Sequence, residues 1–237
     1  MRFFDFVKRN LFAACIVALV VVVAGFALFA PIIVYGVRIA KNVPVIVIDA
    51  GHGGADAGVV GKTSGAKESE LNLDIALMLG EMLEGAGMTV VYTRKNDAML
   101  REVKSDTKKR SDMFSRAKII NSAKADIVVS VHINYFPSEV RRGAQVFFER
   151  KSEQSFALAK CVQEALNELN LKETNREYSP LTAEKYILTC SPAASIIVEC
   201  GFLSNPADEK LLISSAYRAE LAQIIAQGIV EYVSSNN

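Results

Sequence analysis

The sequence predicts an α/β fold, with a mostly parallel twisted sheet covered by helices on both faces and an N-terminal transmembrane helix. Two observations predict the sheet: short runs rich in Val and Ile recur along the chain, and they alternate with longer segments of helical periodicity. This alternation is typical of strand–helix–strand units, whose buried parallel strands are almost continuously apolar. A third observation, an uncharged stretch near the N-terminus, predicts the membrane segment.

The apolar pattern predicts the first strand and the first helix of the sheet domain. The run that starts at Val43 breaks into a glycine-rich turn ending at Gly58, as a buried strand does where it enters its loop. A helix is predicted to start at Glu68, because the apolar residues that follow recur at helical spacing and form a core-facing stripe. The residues of this stripe are Leu71, Ile75, Met78 and Met82.

The later elements continue the alternation. Predicted strands lie in residues 88–94, 127–134 and 143–149, and in the run over residues 195–206, where the strand stops at Gly201. Predicted helices cover residues 152–170, 206–212 and 216–233. Asn205 is a favourable N-cap, and Pro206 suits the first position of the short helix. The charged stretch over residues 95–112 is predicted to be a mobile surface loop.

The two histidines of the chain, His52 and His132, both lie where an apolar run ends. Glu199 lies near the end of a third run. Open α/β sheets place their functional sites at the carboxyl ends of the strands, so these three side chains are expected to converge. An ionised carboxylate at the end of a buried strand costs free energy unless it is paired or faces a cation. The pattern therefore predicts a metal site.

Two imidazoles are too few for a catalytic zinc, which normally takes three protein ligands, so a carboxylate is expected as the third. The residues alone leave this ligand open. Glu68 opens the first helix beside the predicted site, but a carboxylate there would also suit the helix dipole without any metal. The candidates are Asp56, Glu68, Glu70, Asp74 and Glu199.

Four segments stand out along the chain: DAGHGGADAG at residues 49–58, KESELNLDIA at 67–76, SVHIN at 130–134 and VECGFLSNP at 198–206. Together and in this order they resemble the type 3 family of zinc-dependent N-acetylmuramoyl-L-alanine amidases, which hydrolyse peptidoglycan. The resemblance extends from about Val43 to Val233, and four motifs in sequence make it highly specific.

The resemblance implies that His52, Glu68 and His132 bind zinc and that Glu199 is the catalytic residue. It also implies that the substrate bond is the amide between the lactyl group of N-acetylmuramic acid and L-alanine. Zinc would lower the pKa of its bound water to about 7 and polarise the carbonyl. Glu199 would take the water's proton and deliver it to the leaving amine. Asn134 is expected to cap a turn or, as the alternative, to hydrogen-bond near the metal.

The N-terminal segment is predicted to be a membrane anchor. No residue of the 27 in 11–37 is charged, which exceeds the ~20 residues needed to span a bilayer. The flanking basic residues favour a cytoplasmic N-terminus and an extracytoplasmic catalytic domain. The predicted division is a stub and anchor over residues 1–41 and an amidase domain over 42–237. A cleaved signal peptide is the alternative, although its cleavage site would be poorly formed.

Charge and cysteine content argue against nucleic-acid binding and against a cysteine metal site. Residues 1–41 carry five basic and one acidic side chain, so the remaining residues carry a net charge of −3 within the total of +1. A weakly acidic domain lacks the basic surface that binds nucleic acid. Cys161, Cys190 and Cys200 are an odd set without metal-binding spacing, so they are expected to be buried thiols.

Within the family, an anchored single domain without wall-binding repeats is most similar to the germination-specific, spore-cortex amidases. This resemblance implies a role in maturation of cortex peptidoglycan towards muramic-δ-lactam, at the forespore or mother-cell membrane. The alternatives are vegetative wall turnover, a zinc hydrolase acting on another bond, and a non-catalytic peptidoglycan-binding module. The glycines of residues 51–65 also suggest a mobile loop, which a regulatory protein partner would order, thereby raising zinc affinity.

Overall fold

The computed structural model describes residues 43–236, and its centre is a six-stranded sheet in the order β2-β1-β3-β6-β4-β5. The strands are β1 (Val45–Ala50), β2 (Thr89–Tyr92), β3 (Ile127–Asn134), β4 (Gln145–Phe148), β5 (Leu181–Thr182) and β6 (Ala194–Phe202). All pairings are parallel except that of β4 with β6. The predicted α/β fold with a mostly parallel sheet is confirmed, and the antiparallel strand makes the sheet mixed.

Six helices surround this sheet in the described part of the chain. They are α1 (Glu68–Gly85), α2 (Lys108–Ala123), α3 (Glu153–Thr174), α4 (Tyr186–Thr189), α5 (Pro206–Leu212) and α6 (Ser215–Ser235). The side chains of the central strands alternate between two apolar clusters. Helices α1, α3 and α6 cover the larger cluster, whereas α2 and α4 cover the smaller one. Because both faces are buried, the strands read as continuous apolar runs.

The charged stretch after β2 agrees with the predicted loop over residues 95–107, which form neither helix nor strand, and differs from it over residues 108–112. Helix α2 already begins at Lys108, and the side chain of its N-cap, Thr107, accepts a hydrogen bond from the backbone N–H of Arg110. The carboxylate of Asp112 accepts a hydrogen bond from the backbone N–H of Leu100 and thereby ties the preceding segment to the helix. The helix was missed because its buried face is largely polar, so the sequence shows no apolar periodicity there.

The predicted membrane anchor, residues 1–41, lies outside the described residues, and so does the predicted domain boundary. Among residues 43–236, no helix combines the length and the apolar character needed to cross a bilayer.

Candidate metal centre

Two imidazoles and one carboxylate converge at the carboxyl ends of β1 and β3. One ligand-type atom from each of His52, Glu68 and His132 lies within 4.8 Å of the others. Oε1 of Glu68 is 3.3 Å from Nε2 of His52 and 3.0 Å from Nδ1 of His132. The structure therefore brings together the two predicted histidines and one of the predicted carboxylates.

His52 is held in an unusual backbone conformation directly after β1. Its φ is 61°, in the left-handed region that few residues other than glycine adopt. The preceding residue, Gly51, lies so close to the His132 ring that a Cβ atom there would be 2.2 Å from Cε1. In the His52 ring itself, Nδ1 lies 3.0 Å from Oδ2 of Asp56. Such a carboxylate fixes the orientation of a metal-binding imidazole.

Glu68 is fixed by backbone donors on both carboxylate oxygens. It is only 2 % exposed, and its Oε2 accepts a hydrogen bond from Val59 N–H while Oε1 accepts one from Ile133 N–H. Burial alone would raise the pKa of Glu68, but hydrogen bonds and charge from both histidines hold it well below its usual range. Burial likewise opposes protonation of His52, yet Glu68 and Asp56 raise the pKa of that imidazole.

The other carboxylates considered for the third ligand lie elsewhere. Asp56 pairs with the far side of His52, Glu70 pairs with Lys67 at the surface, and Asp74 pairs with Arg218. Among the described residues, the metal-type cluster contains Glu68 and none of these three. The positions of these side chains therefore favour Glu68 over the other three as the third ligand.

Glu199 is the register partner of His132 across the parallel pair β3 and β6. Its Oε2 atom is buried and has no hydrogen-bond partner among residues 43–236. Burial raises the pKa of Glu199; the nearby His132 opposes this rise and the nearby Glu68 adds to it. A carboxyl group of this kind, beside the imidazoles but outside their cluster, is suited to exchanging a proton.

The side chain of Asn134 accepts a hydrogen bond from Tyr135 N–H, a local backbone contact where β3 ends. Of the three cysteines expected to be buried, Cys200 is buried, whereas Cys161 and Cys190 are only partly buried. Cys200 is buried in the larger apolar cluster, and burial raises the pKa of its thiol.

The loop between His52 and Glu68 is anchored, contrary to the mobile loop that its glycines suggested. A carboxylate oxygen of Glu209 accepts hydrogen bonds from the backbone N–H groups of Thr63 and Ser64. Ser69 N–H donates to the carbonyl of Ala57, and two isolated bridges close the loop on itself. The fold itself therefore orders this loop.

A buried polar group beneath the site was missed by sequence reasoning. It consists of Asp49, Arg94 and Arg116, each 4 % exposed or less. Asp49 and Arg94 each sit at the end of a predicted strand, which was an available signal. Arg116 lies on α2, whose sequence has no apolar periodicity, so nothing in the pattern indicated it.

The residues present fit a divalent metal with nitrogen and oxygen ligands. Two imidazole nitrogens and a carboxylate are one of the standard catalytic zinc ligand sets. The Glu68 carboxylate stays ionised at neutral pH despite its burial, because both histidines hold its pKa low, and the Asp56 carboxylate lies 3.0 Å from Nδ1 of His52.

Comparisons with known proteins agree with this geometry. A family model described as N-acetylmuramoyl-L-alanine amidase matches residues 46–231. The germination-specific N-acetylmuramoyl-L-alanine amidase of Bacillus subtilis is 32% identical over 191 residues, covering 79% of this chain and 79% of that protein. The amidase LytC of the same organism is 31% identical over 189 residues, but these cover only 35% of its length.

Solved structures show the same likeness. The CwlD amidase from Clostridioides difficile, determined in complex with the GerS lipoprotein, is 35% identical with a TM-score of 0.75. The match covers 81% of this chain and 99% of that one. An N-acetylmuramoyl-L-alanine amidase from Clostridium difficile 630 is 30% identical with a TM-score of 0.72, over 83% of this chain and 100% of that one.

Proposed function

This chain belongs to the N-acetylmuramoyl-L-alanine amidase family and is an amidase of peptidoglycan; from that premise we propose that it is a zinc hydrolase. His52, Glu68 and His132 would hold one Zn²⁺, and Glu199 would be the catalytic residue. The observation that carries the proposal is the convergence of the three ligand-type side chains within 4.8 Å.

Zinc, when bound, supplies a Lewis acid that polarises the scissile carbonyl and lowers the pKa of water to about 7. The residues of the chain do the remaining work. The Asp56 carboxylate, 3.0 Å from Nδ1 of His52, would orient that ring when the metal is bound. The backbone N–H groups of Val59 and Ile133 fix the Glu68 carboxylate, so that little reorganisation is needed when the metal enters.

Glu199 is assigned to proton transfer. In the hydrolysis, the amide C–N bond breaks, the lactyl carbonyl carbon gains the water oxygen, and the leaving nitrogen of L-alanine gains a proton. Glu199 accepts a proton from the attacking water and delivers it to that nitrogen. A raised pKa suits this task because it makes the carboxylate a stronger base towards the water while still allowing it to pass the proton on.

The ligand assignment is tested with two variants of the first turn of α1. Glu68→Gln removes a buried carboxylate from the cluster, whereas Glu70→Gln removes an exposed carboxylate two residues away. We expect about one equivalent of zinc in the wild type and in Glu70→Gln, and its loss in Glu68→Gln and His132→Ala. Full zinc content in Glu68→Gln or His132→Ala, measured by elemental analysis, would contradict the assignment.

The biological setting is proposed to be the spore cortex, where the amidase would prepare peptidoglycan for muramic-δ-lactam formation. The support is the 32% identity to the germination-specific amidase of Bacillus subtilis, matched over 79% of both chains. Cortex peptidoglycan from a strain lacking this gene should then contain no muramic-δ-lactam. Normal lactam content would leave vegetative wall turnover as the role.

The catalytic domain is proposed to work outside the cytoplasm, anchored by the uncharged segment over residues 11–37. The hydropathy of that segment and the location of peptidoglycan support this placement. Fractionation of cells that express the full chain should place the intact protein in the membrane. A shortened, released form would favour the signal-peptide alternative.

A protein partner is also proposed, on the basis that the similar CwlD amidase was determined in complex with a lipoprotein. Ordering of the His52–Glu68 loop is not the reason, because Glu209 and the backbone already anchor that loop. Zinc should therefore bind the isolated protein with a dissociation constant well below micromolar. Micromolar binding in a competition titration would revive the loop-ordering role of a partner.

A further inference from the structure

Two buried arginines lie beneath the candidate metal centre. Arg94 extends from the end of β2 and is 4 % exposed, and Arg116 extends from α2 and is 2 % exposed. A buried guanidinium group costs several kcal/mol unless charges and hydrogen bonds compensate it. The partners of these two groups therefore indicate what the fold uses them for.

Arg116 binds the backbone at the end of β1. Its Nη1 donates a hydrogen bond to the carbonyl oxygen of Ala50 at 2.7 Å, and its Nη2 donates to that of His52 at 2.6 Å. Asp49 and Asp112 form ion pairs with the same guanidinium at 2.6 and 2.7 Å. The carboxylates balance its charge, and its remaining bonds go to the backbone carbonyls of Ala50 and His52.

Arg94 connects the two segments that carry the ligands. Its Nη2 donates to the carbonyl oxygen of Gly51 at 3.0 Å and to that of Ser69 at 2.7 Å. Gly51 precedes His52, and Ser69 follows Glu68. A single nitrogen atom therefore joins the His52 loop to the first turn of the helix that holds Glu68. Nε of Arg94 adds a bond to the carbonyl of Ala50 at 2.9 Å.

The two guanidinium groups together satisfy three consecutive carbonyls, those of Ala50, Gly51 and His52. The chain leaves the sheet here, and His52 adopts its left-handed φ of 61°. Such a conformation persists only where the surroundings over-determine it. The planar fork of arginine can bind two or three oxygen atoms in a fixed arrangement, which an ammonium group cannot do.

We propose that Arg94 and Arg116 are positioning residues of the metal centre, which hold His52 and Glu68 at the separation that the metal requires. The inference rests on the proposed zinc site. Groups that orient ligands from behind commonly contribute 10- to 100-fold to metal affinity. The two arginines differ from the usual case because they act through the main chain of the ligands and not through their side chains.

The test compares arginine-to-lysine variants. Arg94→Lys and Arg116→Lys keep the charge but lose the fork. We expect each to bind Zn²⁺ about 10- to 100-fold more weakly in a competition titration with a chelator, and to shift the visible absorption spectrum of the Co²⁺-loaded protein. Arg218→Lys is the matched control, because Arg218 pairs with Asp74 and the carbonyl of Leu212, away from the cluster. It should keep wild-type affinity and spectrum.

Folding is checked by circular dichroism before each titration. If Arg116→Lys fails to fold, Arg116→Gln replaces it, since it also removes the fork that bonds the carbonyl oxygens of Ala50 and His52. Folded Arg94→Lys with wild-type Zn²⁺ affinity and Co²⁺ spectrum would overturn the inference for Arg94, and the same result for Arg116→Lys or its substitute would overturn it for Arg116. A wild-type protein that binds no zinc would instead overturn the proposed metal site.

Discussion

At the scale of single residues, two carboxylates within one site have opposite environments. Glu68 receives hydrogen bonds on both oxygens, and its pKa is lowered. Glu199 has a buried oxygen atom with no partner among residues 43–236, and its pKa is raised. Titratable groups whose pKa values are driven apart in this way commonly divide the roles within an active site. The proposed division is a ligand and a proton carrier.

The variant Glu199→Gln separates binding from chemistry. The amide has nearly the same size as the carboxylate but cannot accept the proton, so turnover should fall by about two or more orders of magnitude. Zinc content and thermal stability should stay close to those of the wild type, because Glu199 lies outside the ligand cluster. Loss of the metal in this variant would instead make Glu199 a ligand.

Asp49 predicts how stability depends on acid. Burial would raise its pKa, but the charge of Arg116 and the hydrogen bonds from Ser130 and Thr93 lower it from 3.8 to about 2. A lowered pKa in the folded state contributes stability that is present above pH 4 and is lost as the pH falls towards 2.

This contribution is about 2 kcal/mol, from the size of the shift in pKa. The quantity to measure is the difference in free energy of unfolding between the wild type and Asp49→Asn. This difference should be about 2 kcal/mol larger at pH 5 than at pH 2. Urea titrations of the metal-free protein at the two pH values give this difference. A difference that does not change with pH would contradict the lowered pKa of Asp49 in the folded protein.

At the scale of elements, the sequence predicted those whose buried surface is apolar. Strands β1, β3 and β6 and helices α1, α3 and α6 carry regular apolar patterns, and their positions were correct to within a few residues. Helix α2 was missed because it buries Ser111, Asp112, Ser115 and Arg116. Their partners are polar groups distant in sequence, which no local pattern reveals.

The packing of α3 against α6 depends on one small residue. A Cβ atom at Gly228 would lie 2.6 Å from Cα of Val162, which is closer than real Cβ atoms approach. Gly228→Ala should therefore lower the free energy of unfolding by about 1 to 3 kcal/mol. Gly85→Ala is the control, because a Cβ atom there meets nothing within 4 Å. Equal stability of the two variants would contradict the close packing.

At the scale of the whole molecule, the parallel strand order accounts for the location of the site. Strands β1, β3 and β6 are neighbours and run in the same direction. Their carboxyl ends therefore bring His52, His132 and Glu199 to one edge of the sheet, as expected for open α/β folds. The sequence alone predicted this convergence of His52, His132 and Glu199. The selection of Glu68 from several carboxylates required the family resemblance or the structure, because spacing along one helix did not distinguish them.

Product analysis tests the central claim, zinc-dependent amidase activity, most directly. Purified sacculi would be treated with the zinc-loaded protein, with the same protein after chelation, and with Glu199→Gln. New L-alanine amino termini should appear only with the loaded wild type and return when zinc is restored to the chelated sample. Released acetate without such termini would indicate a deacetylase, and the absence of any product would indicate a binding module; either result, or full activity after complete removal of zinc, would contradict the account.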